Sequence, residues 1–346
     1  MKSRFPYRKW LNGSGDFCGS QVEQMADGRI RLNQSRFALG MRPLKLRKAS
    51  ADEPATASEI RALRGLIGSG LWISKETRPD LAVMVTEAQM SLPCPRQADL
   101  WAANHIVRRA KQFHDLSITF HPIPPAELTV CIHSDSSLNV TNLKRPTVGG
   151  AMVGFTNRKL NSGEVAAWSP AVWRSFKQKQ VVTSTLTAEA RALSFALGRA
   201  EWLLAMMHEC LFPNSFDLVK RKGMFAESGA IAVTDAKSLY DSIIAPGAPS
   251  GMEDSRCAFE VLVIRQSLRR MGAVLRWAPG DRQLADCLTK NDARPADLIR
   301  ALLKVGKYQI SDESFVLDQL SKERVRRQEL GKSRAEIAAK ASAALA

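Results

Sequence analysis

Apolar positions at Leu186, Ala190, Leu193, Leu197, Ala200, Leu203 and Met207 recur close to a 3.6-residue period. They predict an amphipathic helix over 182–209. Thr183, Ser184, Thr185 and Thr187 crowd its start, where hydroxyls cap free backbone N–H groups. Around this helix the pattern changes to short apolar runs bounded by turn residues. Runs at 127–134, 149–156 and 164–169 read as three strands, the last two separated by Asn161-Ser162-Gly163. A fourth strand follows over 230–235, a short helix over 236–244 stopped by Pro246 and Gly247, a longer helix over 253–271, a fifth strand over 272–277, and a last helix over 282–290. A meander of three strands followed by strands alternating with helices predicts an α/β fold with a mixed sheet.

Upstream, Gln21, Glu23 and Met25 precede Asp27-Gly28, and Ile30 and Leu32 follow in alternation, which predicts a hairpin within 16–39. Residues 42–57 are basic, then Pro- and Ala-rich, and read as a linker. Three helical pieces follow: 58–74, a second opening with Pro79 at its first position, and 97–113. The third carries Trp101, His105, Arg108, Arg109 and Lys111, and the block reads as a packed helical module with one solvated basic face. Residues 297–320 hold a further helix and a short apolar patch, and 321–346 read as a solvated helix or a frayed tail.

Length and charge narrow the class. The 346 residues leave room for two or three domains, and 45% apolar content supplies a core. A net charge of +16 favours a polyanionic partner, most often nucleic acid. The six cysteines form no CxxC pair and the five histidines lack ligand spacing, so neither a zinc site nor a disulfide framework is indicated. Reduced thiols imply an intracellular location, cytoplasmic or nuclear. No apolar run is long enough for a membrane span, and the first residues lack an apolar signal core.

The candidate chemistry lies in four acids far apart in the chain. Asp135 ends the first predicted strand, Glu189 lies early in the long helix, Asp235 ends the fourth strand, and Asp286 lies early in the last helix. Sites in open α/β sheets gather at strand ends. Four carboxylates in one place repel one another unless hard divalent cations neutralise them, and all-oxygen ligation suits Mg2+. A pair of such ions can activate water on one side of a phosphodiester and stabilise the leaving oxygen on the other. The bland reading treats each acid singly: Asp286 as a helix-start acid and Asp235 as an N-cap.

HSDSS (133–137), GGAMVGF (149–155), AAWSP (166–170), KQKQVVTSTLTAEARAL (177–193), AVTDAKSL (232–239) and QLADCLTK (283–290) together resemble the C-terminal part of the Pol polyprotein of copia-type LTR retrotransposons. GLIGSGLWISKETRPDLAVMVTEAQM (65–90) and FCGSQVEQMADGRIRLNQSRF (17–37) are similar to that family's connection segment and the end of its polymerase region. The resemblance implies a ribonuclease H-like mixed five-stranded sheet flanked by helices, preceded by a small helical connection segment. It implies two-metal hydrolysis of the RNA strand of an RNA–DNA hybrid, with Asp135, Glu189, Asp235 and Asp286 as the metal-binding carboxylates. The cofactor is two Mg2+ ions, with Mn2+ as a substitute. The partners are the hybrid and the rest of the Pol polyprotein, with no membrane.

The expected division is 1–50 as the end of a reverse transcriptase with its linker, 51–122 as connection segment, 123–292 as ribonuclease H-like domain and 293–346 as a basic tail. No YxDD polymerase motif and no integrase or protease motif is visible, so the chain reads as a piece of a larger polyprotein. The chain departs from the family's pattern in three places: Ser137 stands for its second acid, its EAEY is AEAR here, keeping Glu189 but losing the other glutamate and the aromatic, and Ala236 stands for the asparagine after the third acid. A non-catalytic nucleic-acid-binding module or a decayed fragment is the alternative. In 168–180, Trp168, Trp173 and Phe176 interleave with Arg174, Lys177 and Lys179. The three basic residues are the candidate phosphate contacts; the other reading is a basic loop with core tryptophans.

Overall fold

The computed structural model describes residues 12–138, 146–180, 182, 184–212, 229–247, 249 and 255–310. The predicted tail over 321–346 and the capping role of Thr183 lie outside the described residues.

The Asp27-Gly28 hairpin forms as predicted, with Gly28 at φ 82°, a backbone angle that glycine adopts without a Cβ clash. Its strands belong to a sheet of β1 (Ser14–Phe17), β2 (Ser20–Gln24) and β3 (Ile30–Asn33). The short helix α1 (Ser35–Gly40) follows, then α2 (Ala57–Glu76), α3 (Ala82–Ser91) and α4 (Gln97–Gln112). The chain then returns through β4 (Ser117–Phe120), which pairs antiparallel with β3 and ties the helical block to the hairpin. Thr56 starts α2 reciprocally: its hydroxyl accepts from the Glu59 N–H (3.3 Å), and the Glu59 carboxylate accepts from the Thr56 N–H (2.8 Å). The predicted helix opening at Pro79 begins instead as a tight 3-10 turn, Pro79–Leu81, that runs into α3. The solvated face of α4 is as expected, with Trp101, His105, Arg108 and Lys111 exposed.

The second sheet is built from β5 (Leu128–Ser137), β6 (Val148–Asn157) and β7 (Ala166–Lys177), an antiparallel meander. After α5 (Thr185–Leu211), β8 (Ala230–Thr234) pairs parallel with β5. Then α6 (Lys237–Ile244) and α7 (Ser255–Met271) lead to β9 (Ala273–Trp277), parallel to β8. The chain closes with two 3-10 turns, Gly280–Arg282 and Leu284–Leu288, then α8 (Ala293–Val305) and β10 (Lys307–Tyr308). The strand order is β10-β7-β6-β5-β8-β9.

Three expectations change here. The sheet has a sixth strand, because β10 pairs with Ala166 and Ala167 of β7. β7 runs on past the predicted end at 169: the register shifts between Val153 and Gly154, which leaves Ala171 unpaired beside Pro170 and lets pairing resume. The predicted helix over 282–290 is a pair of tight turns. Gln283 accepts at its own side chain from the Ala285 N–H (3.2 Å), and Leu284–Leu288 is wholly buried against the sheet.

Helices α5, α6 and α7 cover one sheet face through Val130, Ile132, Val153, Leu193, Leu197, Val261 and Ile264. The other face, with Cys131, Met152 and Val233, is covered by Leu284, Leu288, Ile299 and Leu303, joined by Leu116 and by Ile118 of β4. Each fully buried leucine or isoleucine side chain contributes roughly 1.5–3 kcal/mol of burial free energy, so the layer over the second face is a substantial part of the fold. The helical block is joined to this unit: Trp173 Nε1 donates to the Ser74 carbonyl (2.7 Å), and Thr86 Oγ1 donates to the Ser175 carbonyl (3.2 Å). Helix α3 thereby shields part of the outer edge of β7.

Candidate active site

The strand pairing brings the acids together. β5 and β8 are parallel neighbours, so Asp135 near the end of β5 and Asp235 just past β8 emerge at the same edge. Asp286 arrives on the turn Leu284–Leu288, which lies over β6 beside them. Single carboxylate oxygens of Asp135, Asp235 and Asp286 all lie within 4.8 Å of one another. Glu189 falls outside that group of three. It reaches the same end of β5 from α5 on the opposite face, where its Oε1 accepts from the Ser136 N–H (3.2 Å). Its other oxygen, and Oδ1 of Asp286, are buried without a hydrogen-bond partner.

Gly150 makes this approach feasible. It pairs with Asp135 across β5 and β6, and a Cβ there would lie 2.8 Å from Leu288 Cβ and 3.0 Å from the Ala285 carbonyl. Any side chain at 150 pushes the Asp286 turn off the sheet. The sequence contained this glycine within GGAMVGF, but nothing local marked its role. Gln283, Thr289 and Lys290 were likewise visible only as motif letters. Thr289 Oγ1 donates to Asp135 Oδ2, and Lys290 Nζ stands 2.8 Å from Asp286 Oδ2 and 3.7 Å from Asp135 Oδ2. Gln283 Nε2 donates to the Ser134 carbonyl (3.1 Å), and its Oε1 lies 3.0 Å from His133 Nδ1. Burial pushes the His133 pKa down to about 4, so the ring is neutral and donates from Nδ1. On the other face, Gln178 Nε2 donates to Ser136 Oγ (3.1 Å) and the Ala188 carbonyl (2.9 Å), joining β5 to the start of α5.

Burial, then the charges of Asp135 and Asp235, raise Glu189 to about 9. Burial, then Asp135, raise Asp286 to about 7, and the same causes raise Asp235. These carboxyls hold their protons more tightly in the fold than in the unfolded chain. The stability they confer is complete below about pH 4 and is lost as pH climbs through about 7 and about 9. Thermal melts in chelator should therefore show a falling Tm across that window. Added Mg2+ should raise Tm more at the alkaline end, with proton release on binding.

The donor set fits a hard divalent cation: oxygen only, at fixed strand and turn positions, with two buried carboxylate oxygens lacking partners.

The basic candidates lie at the same edge. Lys177 pairs with Val148, which pairs with Ser137, so it stands two strands from the end of β5, roughly 10 Å away at normal strand spacing. Arg174, Lys177 and Lys179 are exposed and, with Lys75 and Trp173, line a groove of about 440 Å³ between β7 and the helical block. Of the interleaved aromatics only Trp168 is core, whereas Trp173 and Phe176 are half-buried and line the groove. Trp168 is buried across from Gly154, and Phe176 packs under Gly149 and against Phe195 at 4.3 Å. Of the departures from the family pattern, Ser137 ends β5 and Ala236 precedes α6.

No protein-family model matches the chain, and no curated protein matches it. Among solved structures, the N-terminal RNase H domain of a Mycobacterium tuberculosis protein, fused to maltose-binding protein, is 14% identical with a TM-score of 0.30; the match covers 51% of this chain and 98% of that one. RNase H1 from the halophilic archaeon Halobacterium salinarum is 13% identical with a TM-score of 0.31, covering 46% and 93%. A foamy viral protease-reverse transcriptase in complex with RNA/DNA hybrid is 12% identical with a TM-score of 0.29, covering 51% and 21%. The class stands on the chain's own topology: an antiparallel three-stranded meander extended by two parallel strands, with helices on both faces, is a ribonuclease H-like mixed sheet.

Proposed function

We propose that this chain is a metal-dependent nuclease of ribonuclease H type that hydrolyses the RNA strand of an RNA–DNA hybrid, derived from the Pol polyprotein of a copia-type retrotransposon. The observation that carries the reading is the convergence of Asp135, Asp235 and Asp286 within 4.8 Å at one sheet edge. Bound Mg2+, with Mn2+ as substitute, would neutralise these acids, activate water and stabilise the leaving oxygen. Asp135 and Asp235 supply rigid ligands because they sit on paired strand ends. Asp286 supplies a third from a turn seated on Gly150. Glu189, fixed through the Ser136 N–H, brings the fourth carboxylate to the same strand end. In this reading the hairpin is the end of a polymerase region, the helical block serves as the connection segment, and the working location is intracellular.

The test is incubation of the full chain with a labelled hybrid and Mg2+. RNA-strand cleavage leaving 5′ phosphates is expected. One observation favours a second reading, a hybrid-binding module without turnover: the Lys290 ammonium already neutralises part of the acid cluster. Binding without cleavage at any Mg2+ concentration would select it.

Arg174, Lys177 and Lys179 hold phosphates in either case. The double variant Lys177→Ala/Lys179→Ala should weaken hybrid binding about tenfold and flatten the log affinity against log salt slope by about 2, uniformly across sequences. Filter binding across a salt series reads both.

A further inference from the structure

We infer that Lys290 sets how tightly this site holds a divalent cation, because its ammonium occupies the place between Asp286 and Asp135 that a metal ion must share. The inference rests on the metal-dependent reading above.

Lys290 follows the Asp286 turn directly, and its backbone N–H donates to the Asp286 carbonyl (2.8 Å). The side chain folds back over the turn to place Nζ 2.8 Å from Asp286 Oδ2 and 3.7 Å from Asp135 Oδ2. No other ion pair reaches Asp135, Glu189, Asp235 or Asp286 among the described residues. The asymmetry in exposure matters. The two carboxylate side chains are 4% and 11% exposed, while the lysine side chain is 37% exposed. The acids are therefore fixed, and the ammonium sits at the solvent side on a flexible stem that can swing away.

One ammonium does not satisfy the cluster. Glu189 Oε2 and Asp286 Oδ1 stay without a partner although both are buried. A single positive charge also leaves a net negative site, which still attracts a divalent ion. That ion meets Lys290 as a like charge a few ångströms away in a poorly solvated place, where such repulsion is strong. Metal entry therefore displaces the ammonium from the carboxylates, and the affinity measured for the metal is lowered by the lost ion pairs. Thr289, the preceding residue, keeps its bond to Asp135 and holds the turn in place while Lys290 leaves.

The experiment is calorimetric titration of Mg2+ into wild type, Lys290→Met and Lys290→Arg, with thermal melts of the metal-free proteins. Lys290→Met should bind Mg2+ about tenfold more tightly than wild type. It should also melt at lower temperature without metal and recover when Mg2+ is added. Lys290→Arg keeps the charge and should show no tightening. Where Lys290→Met does not fold without metal, Lys290→Gln, which keeps a donor toward Asp286 without the charge, carries the same expectation. Equal or weaker Mg2+ binding by the neutral variants, with wild type binding normally, overturns this role for Lys290 and leaves the nuclease reading standing. Absence of Mg2+ binding by every protein overturns both.

Discussion

Asp135→Asn is expected to lower Mg2+-dependent cleavage of the hybrid's RNA strand by about a thousandfold or more, while the metal-free protein melts no lower than wild type. The substitution keeps the shape of a side chain that is 4% exposed and keeps an acceptor for Thr289 Oγ1. It removes one charge from three carboxylates whose oxygens lie within 4.8 Å of one another. The loss is therefore electrostatic: a carboxylate proposed to hold a divalent cation becomes a neutral amide. The same removal relieves repulsion on Glu189, Asp235 and Asp286, all of which Asp135 pushes upward in pKa. Asp235→Asn should behave alike, and the double variant should cost little more than either alone, because the acids act as a unit. Gel-resolved cleavage and thermal melts on the same preparations separate the two effects. A variant that loses activity and Tm together points to structural damage.

The second large effect is on stability, at a buried ion pair beside the Pro79–Leu81 turn, which packs against the Leu284–Leu288 turn. Arg78→Ala is expected to cost about 3–5 kcal/mol. Arg78 is fully buried and forks onto Asp80, Nε to Oδ1 at 2.7 Å and Nη2 to Oδ2 at 2.8 Å. Its remaining donors reach the carbonyls that end α4: Ala110 at 3.2 Å, Phe113 at 2.8 Å and Arg109 at 3.3 Å. Asp80 Oδ2 lies 3.7 Å from Arg300 of α8, whose guanidinium stacks 4.3 Å over the Phe113 ring. Truncating Arg78 leaves Asp80 buried with one distant cation and frees the end of α4 at once. The charge-conserving change Arg78→Lys should not restore stability, since one ammonium cannot satisfy a carboxylate fork and three carbonyls together. By contrast, the exposed Arg36–Asp16 pair should be nearly silent. Chemical denaturation of Arg78→Ala and Arg36→Ala checks the contrast.

Much of the second sheet was legible because its strands are short apolar runs punctuated by glycine, proline and asparagine, and α5 because of its 3.6 period. The candidate acids were legible as ends of those elements. What escaped has physical reasons. β10 is two residues long, too short to show any alternation. The third predicted strand ends at 169, yet the bulge at Ala171 carries the ladder past Pro170. The stretch over 282–290 looks helical because all of Leu284–Leu288 is apolar or acidic, but that segment is buried along its whole length and forms a 3-10 turn. The roles of Gly150 and Lys290 depend on contacts across the fold, Gly150 with Leu288 and Lys290 with Asp135, which no local pattern encodes. The Thr77-Arg78-Pro79-Asp80 stretch read as a helix start. Its charged pair instead lies buried, joining the helical block to α8.

Anomalous diffraction from crystals soaked in Mn2+ tests the central claim most directly. The account predicts manganese peaks coordinated by Asp135, Asp235 and Asp286, with the Lys290 ammonium moved off Asp286. Crystals that leave the carboxylates bare at saturating Mn2+, with Lys290 still in place, would contradict it.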